Sequence, residues 1–251
     1  MPVLAVIPAR LGATRLPRKP LRLLGGEPLV TRVLDRVTSL GVADRVVVAT
    51  DAEEVHAAVR AHGGTSVDTR QDHPSGTDRV AEVAARPEYR EFDVVLNVQG
   101  DEPFVSADVL RGAVGMCARF PLGTSAVRRD PGILQEPNIV KVVCDASGRA
   151  MYFSRAPIPW LRDAVDHAVL ASLVLQHVGV YAYQRRALQA WVELPVHPLE
   201  QVERLEQLRP LAAGLGMGVA VLDGPLDGGI DTEDDLARAN ERWRDLYAGR
   251  N

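Results

Sequence analysis

Three continuous apolar runs constrain this chain more than any other feature. "PVLAVIPA" at the start, "RVVVAT" ending at Thr50 and "DVVLNVQ" ending at Gln99 are rich in β-branched residues and lack polar alternation. Strands with that pattern are covered on both faces. Between the first two runs, Leu29, Val30, Val33, Leu34 and Val37 recur at helical spacing, and "AEEVHAAVRAHGG" ends in the glycines that close helices. This alternation predicts an α/β protein with a doubly wound, mostly parallel sheet and right-handed crossovers. Ligands in such sheets sit beyond the carboxyl ends of the strands. The loop after the opening strand, the loop after Thr50 and "QGDEP" are therefore the places to look for chemistry.

The middle of the chain follows a different pattern. "NIVKVVCDASGRAMYFSRAPIPW" reads as two antiparallel strands joined by an Asp-Ala-Ser-Gly turn. "HVGVYAY" reads as a strand, and "HPLEQVERLEQL" as a helix with Pro198 near its first turn. We expect one domain over 1–251 in which roughly residues 120 to 210 form a smaller, inserted, mixed α+β lobe. The parallel pattern then returns with "GVAVLD" and a final helix, "DTEDDLARANERWRDLYAG", in which Thr232 is the N-cap and Asp235 stands at N3.

Charge and composition exclude several classes. A net charge of -4 and a pI near 5.9 argue against a general nucleic-acid or membrane-surface binder. No apolar stretch approaches the ~20 residues of a bilayer span. No basic segment precedes a long apolar one at the start, which points to a cytoplasmic protein. Cys117 and Cys144 are too few for a disulfide framework and read as reduced thiols.

Against that acidic background, "IPARLGATRLPRKPL" carries Arg10, Arg15, Arg18 and Lys19, with no acidic residue before Glu27. It is not a P-loop, because Pro17 and Arg18 precede Lys19 and Pro20 follows it. A solvated basic loop is the competing reading. Stiffening prolines and a position at a strand's carboxyl end favour a polyphosphate site, since arginine forks and a lysine point charge suit phosphate oxygens. Asp101, after the tight Gly100 turn, emerges at the same sheet edge. A carboxylate beside a polyphosphate implies a cation between them, and Mg²⁺ takes one or two carboxylates plus phosphate oxygens. Asp231 in "DGGIDTEDD" is the candidate second ligand, because it precedes the cap and is left over from the acidic helix start. The six histidines lack metal spacing. "GLGMG" at 214–218 follows a helix and precedes a strand, the reverse of a dinucleotide fingerprint.

These fragments, taken in order, resemble one family. "IPARxxxTRLPxKPL", "VATD", "TRxDHxSGTDR", "NVQGDEP", "PNxVKVV", "YFSRAPIPW", "HVGVYAY", "LEQLR" and "GIDTEDDL" are together similar to the 3-deoxy-manno-octulosonate cytidylyltransferases, the CMP-Kdo synthetases, from residue 5 to about residue 240. The resemblance implies a nucleotide-diphospho-sugar transferase-like fold and a homodimer built through the smaller lobe. It also implies a reaction in which CTP and the eight-carbon acid Kdo give CMP-Kdo and pyrophosphate, for lipopolysaccharide synthesis. On this reading Arg10, Arg15 and Lys19 hold the triphosphate, and Asp101 and Asp231 hold Mg²⁺. The segment Arg70 to Arg79, with Ser75 and Gly76 at its centre, reads cytosine. Gln99, Arg155, Arg162, His177, Tyr181, Glu206 and Gln207 face the sugar acid. Two departures stand out: Arg18 replaces the family's usual glycine, and Pro74 replaces a common glutamine, removing a side-chain amide.

The implied chemistry is in-line attack of the Kdo C2 hydroxyl on the α-phosphorus, where positioning and charge neutralisation dominate. Catalysis would fall to Asp101 and Asp231, with Arg10 and Lys19 beside a second Mg²⁺ on the leaving group. No general base is assigned. Two other readings stay open: a CMP-sialic acid synthetase or other sugar nucleotidyltransferase, and a non-catalytic nucleotide-binding regulator.

Overall fold

The computed structural model describes residues 1–12, 15–163 and 166–247. Ala248 and Gly249, expected to end the last helix, lie outside the described residues. The chain forms two compact units, one comprising Met1–Asp93, Asn97–Ser106 and Asp227–Asn251, the other Val94–Leu96 and Ala107–Leu226. The expected lobe at 120 to 210 falls inside the second.

The first unit opens with β1 (Val3–Pro8), a short hairpin of β2 (Leu23–Leu24) and β3 (Glu27–Pro28), and α1 (Leu29–Ser39). Then come β4 (Arg45–Thr50), α2 (Glu53–Ala61), β5 (Ser66–Asp68) and α3 (Gly76–Ala85). β1 pairs in parallel with β4, from Leu4 opposite Arg45 to Pro8 opposite Ala49, and β4 pairs in parallel with β5. Val3 to Ile7 are buried throughout, as their unbroken apolar run requires. On α1 the helical repeat of Val30, Val33, Leu34 and Val37 is the buried face. Burying side chains of this size contributes about 1.5–3 kcal/mol each.

β6 (Val94–Asn97) gives its last residue to the first unit and the others to the second. The second unit continues with α4 (Ala107–Met116), β7 (Leu122–Arg128), β8 (Lys141–Cys144), β9 (Ala150–Ser154), α5 (His167–Leu173) and β10 (Leu175–Gln184). It ends with α6 (Arg185–Glu193), α7 (Pro198–Glu203), α8 (Leu208–Ala212) and β11 (Met217–Leu222). β11 runs parallel to β7, while β10 is antiparallel to β7 and β8 is antiparallel to β9. The helix expected over "HPLEQVERLEQL" ends at Glu203, and α8 begins only at Leu208, the last residue of that span. Arg204 takes a left-handed conformation (φ 56°) and stops α7, a position no helix can pass through.

The chain returns to the first unit for α9 (Glu233–Tyr247). Its start is a reciprocal capping box, in which Thr232 Oγ1 accepts from Asp235 N (3.2 Å) and Asp235 Oδ2 accepts from Thr232 N (2.9 Å). The α/β class with a mainly parallel sheet is as the alternation predicts.

Candidate active site

In the first unit, the opening loop and the two carboxylate turns converge. Lys19 begins a 3-10 turn with buried Pro20, and its Nζ donates to Asp101 Oδ2 at 2.6 Å and to Asp231 Oδ1 at 2.9 Å. Arg15 Nη2 donates to the other oxygen of Asp231 at 2.9 Å. Burial works against the Lys19 charge, but Asp101 and then Asp231 outweigh it and raise its pKa. Arg10 is exposed at the end of the loop's first segment.

Backbone geometry explains why these carboxylates meet. A Cβ on Gly100 would lie 2.9 Å from Pro8 O, so only glycine lets the Asp101 turn sit this close to the end of β1. Ile230 N donates to Asp101 O at 3.0 Å, tying the two turns directly. Asp235 is consumed by the capping box and by Asp231 N (3.1 Å), leaving the Asp231 carboxylate to face the cations. Glu102, which the sequence reading did not single out, lies beside them. Burial pushes its carboxyl up to about 8, with the charges of Asp101 and Asp231 adding to the shift.

A cleft of about 510 Å³ in the same unit is lined by Arg10, Gly12, Asp51, Glu54, His73 and Arg79, among others. Arg10 and Arg79 from the expected nucleotide set reach it. Arg79 is nearly buried and already engaged, with Asp51 at 3.0 Å and with the Thr69 hydroxyl. Arg70 is exposed and its main-chain N–H donates to Glu82 at 3.0 Å. Ser75 caps α3 by accepting from Asp78 N (3.3 Å) and donating to Asp78 Oδ2 (2.7 Å). A Cβ on Gly76 would be 3.5 Å from the Pro8 ring. Within the expected base-reading segment, His73 has Nε2 held by Glu82 and Nδ1 buried without a partner.

Of the seven residues expected to face the sugar acid, Gln99 belongs to the first unit and the other six to the second. His177 is buried, with Nε2 3.0 Å from Thr124 Oγ1 and its ring edge-on to Phe153 at 4.8 Å. Burial lowers its pKa to about 3, so the imidazole is neutral. The Tyr181 ring lies 5.4 Å from that of His177, despite a register shift in the β10–β7 pairing between Val178 and Tyr181. Burial raises the Tyr181 pKa, with smaller contributions from Tyr183 and Glu206. Glu206 and Gln207 lie in the turn between α7 and α8, and the buried Gln207 Nε2 has no partner. Arg162 is exposed. The Arg155 guanidinium is not free. Its Nε donates to Glu203 O (3.0 Å) and its Nη1 to Pro137 O (3.1 Å), so much of the fork is engaged on main chain.

The cytidylyltransferase family model matches residues 4–217. A 3-deoxy-manno-octulosonate cytidylyltransferase of Gemmatimonas aurantiaca is 66% identical over 250 residues, 99% of this chain and 96% of that protein. The chain belongs to the 3-deoxy-manno-octulosonate cytidylyltransferase family. A solved structure of CMP:2-keto-3-deoxy-manno-octonic acid synthetase complexed with CTP superposes with TM-score 0.87 at 38% identity, covering 100% of both chains. A 4-diphosphocytidyl-2C-methyl-D-erythritol synthase from Anaerococcus prevotii, at TM-score 0.62 and 15% identity over 97% of this chain and 98% of that one, shares the fold.

As a cytidylyltransferase, the chain explains one of its departures. Arg18 has φ 56°, a conformation glycine adopts without cost, and its guanidinium is paired with Glu54. The donor set also fits a divalent ion. Among the described residues no group of three or more His, Cys, Asp and Glu is placed to hold a metal. Two carboxylate oxygens nevertheless converge on one cation, the Lys19 ammonium. That arrangement suits a hard divalent ion, which would take its remaining ligands from phosphate and water.

Proposed function

We propose that this cytidylyltransferase activates 3-deoxy-D-manno-octulosonate with CTP, giving CMP-Kdo and pyrophosphate. The observation that carries the reading is the convergence of Asp101 and Asp231 on one cationic point beside Arg15. The first unit serves the nucleotide. Arg10, Arg15 and Lys19 offset the triphosphate charge, and the Arg70–Arg79 segment reads the base through Ser75 and Gly76, whose backbone does not need the amide lost at Pro74. Asp101 and Asp231 would hold Mg²⁺, which when bound neutralises phosphate charge and lowers the pKa of the attacking hydroxyl. The remaining catalysis is positioning: the Kdo C2 hydroxyl attacks the α-phosphorus in line and pyrophosphate leaves.

The second unit serves the acceptor. The unpartnered Gln207 amide supports this, since a buried donor without a partner costs free energy until a ligand oxygen meets it. Exposed Trp160, Met151 and Val202 in the same unit support a homodimer formed there. The product would feed lipopolysaccharide synthesis in the cytoplasm; among the described residues no helix is long and apolar enough to cross a membrane.

The test is pyrophosphate release from CTP with Mg²⁺ and a panel of Kdo, an amino-substituted Kdo and N-acetylneuraminate. Kdo should turn over best. Equal or better turnover of N-acetylneuraminate would replace the acceptor assignment, and no turnover of any acid would favour a nucleotide-binding regulator.

A further inference from the structure

Lys141, at the start of β8, is fully buried. Its Nζ donates to three main-chain carbonyls: Glu136 O at 3.0 Å, Ile139 O at 2.8 Å and Arg155 O at 2.6 Å. All the protons of the ammonium are therefore used within the second unit. Desolvating an ammonium is expensive, and an unbranched apolar side chain would fill similar space without that cost. What the charge adds is the placement of these carbonyls.

The same segment receives Arg155. Arg155 Nη1 donates to Pro137 O at 3.1 Å, between the two carbonyls that Lys141 holds in residues 136–139. Lys141 also fixes Arg155 from its own carbonyl. On the other side, the Glu203 carboxylate accepts from Arg155 N (3.0 Å) and Ser154 Oγ (2.6 Å), and Glu203 O accepts from Arg155 Nε (3.0 Å). Four residues on from Glu203 stands Gln207 with its unpartnered buried amide. One buried ammonium thus sets both the loop that receives the Arg155 guanidinium and the backbone from which that guanidinium extends.

We infer that Lys141 is a positioning residue for acceptor binding, fixing residues 136–139 and the Arg155 backbone so that Arg155 is presented in one direction. This rests on the reading of the second unit as the acceptor-binding part. It needs no contact between Lys141 and either substrate.

The experiment is steady-state kinetics of Lys141→Met, Lys141→Gln and Arg155→Ala with Kdo and CTP varied separately, alongside thermal melts. A misplaced binding group costs binding of the ligand it serves, so Lys141→Met should raise the Kdo KM about tenfold or more and leave the CTP KM within about twofold. Lys141→Gln keeps two donors and should fall between wild type and Lys141→Met. It also carries the test if Lys141→Met does not fold. An unchanged Kdo KM in a folded Lys141 variant, while Arg155→Ala raises it, overturns the inference and leaves the acceptor reading intact. An equal rise in both KM values also overturns it, since that is general loosening. If Arg155→Ala itself leaves the Kdo KM unchanged, the acceptor reading fails first.

Discussion

The two units use polar groups in opposite ways. In the first, charges come from three short loops, remain partly exposed and converge: Lys19, Asp101 and Asp231 have side chains 19%, 21% and 41% accessible. In the second, polar groups are built into the packing. His177 is bonded to Thr124 among aromatic rings, Arg155 is fastened to carbonyls, and Lys141 is sealed inside a cage of them. A loop cluster of charges can accept a charged, variable ligand such as a metal-bound triphosphate. A packed polar network instead holds a few groups rigidly, which suits discrimination between similar sugar acids, because it penalises any ligand that leaves a buried group unpaired.

The largest effect should come from the converging charges. Asp101→Asn and Asp231→Asn each remove one anionic oxygen from the point where Lys19 now sits. Losing a metal ligand is expected to cost at least ~3 kcal/mol of transition-state stabilisation, on the order of a hundredfold in rate. Circular dichroism should show the fold retained, because the tie between the turns is the main-chain bond from Ile230 to Asp101. Near-wild-type pyrophosphate release at limiting Mg²⁺ would remove that residue from the metal site. Lys19→Ala should follow closely, since it leaves the two carboxylates facing one another without their cation.

This contrast also explains what could be read from the sequence. In the first unit the candidate carboxylates could be picked out locally: Asp101 follows β6 by four residues, directly after Gly100, and Asp231 stands just ahead of the α9 cap, after Gly228 and Gly229. Even there, periodicity and motif could not show that Arg79 would be occupied by Asp51 and Thr69, a contact with a strand end far along the chain. In the second unit the residues were named but their state was not. Nothing in "YFSRAPIPW" reveals that Pro137 and Glu203 engage the Arg155 fork, because those partners are remote in sequence. The break at Arg204 was hidden for a different reason, since a non-glycine residue at positive φ carries no signature of its own.

Arg155→Ala probes whether the second unit's network still binds ligand. The Kdo KM should rise by about tenfold or more with the CTP KM within about twofold, a loss on the order of 1.4 kcal/mol confined to one substrate. A matching rise for CTP would erase the proposed division of labour.

A stability measurement separates a packed histidine from a titrating one. The pKa of His177 falls from 6.5 to about 3 on burial, so the unfolded chain binds its proton near pH 6.5 while the folded protein does not until about pH 3. Its contribution to stability is therefore complete above pH 6.5 and is lost progressively as the pH falls toward 3. At pH 5 the loss is about 2 kcal/mol. Unfolding free energies from urea titrations at pH 7 and pH 5 should differ less in His177→Gln than in wild type by that margin. Equal acid sensitivity in the two proteins would mean that the histidine is solvated, and the second unit would then resemble the first.

The smallest effect is expected at Arg18, where the first unit carries a charge that does not join the convergence. Its guanidinium reaches Glu54 instead of the carboxylate pair, and the two side chains are 56% and 55% exposed. An ion pair this open to water contributes little. The backbone at φ 56° costs an arginine more than a glycine, so Arg18→Gly relieves strain while it loses the pair. The two changes oppose one another, and turnover and both KM values should stay within about twofold of wild type, the scatter expected of a surface substitution. The informative control is Glu54→Gln, which breaks the pair and keeps the arginine. If Arg18→Gly abolishes activity and Glu54→Gln does not, the Arg18 charge acts on the nucleotide itself, and the first unit recruits one more cation than its geometry shows.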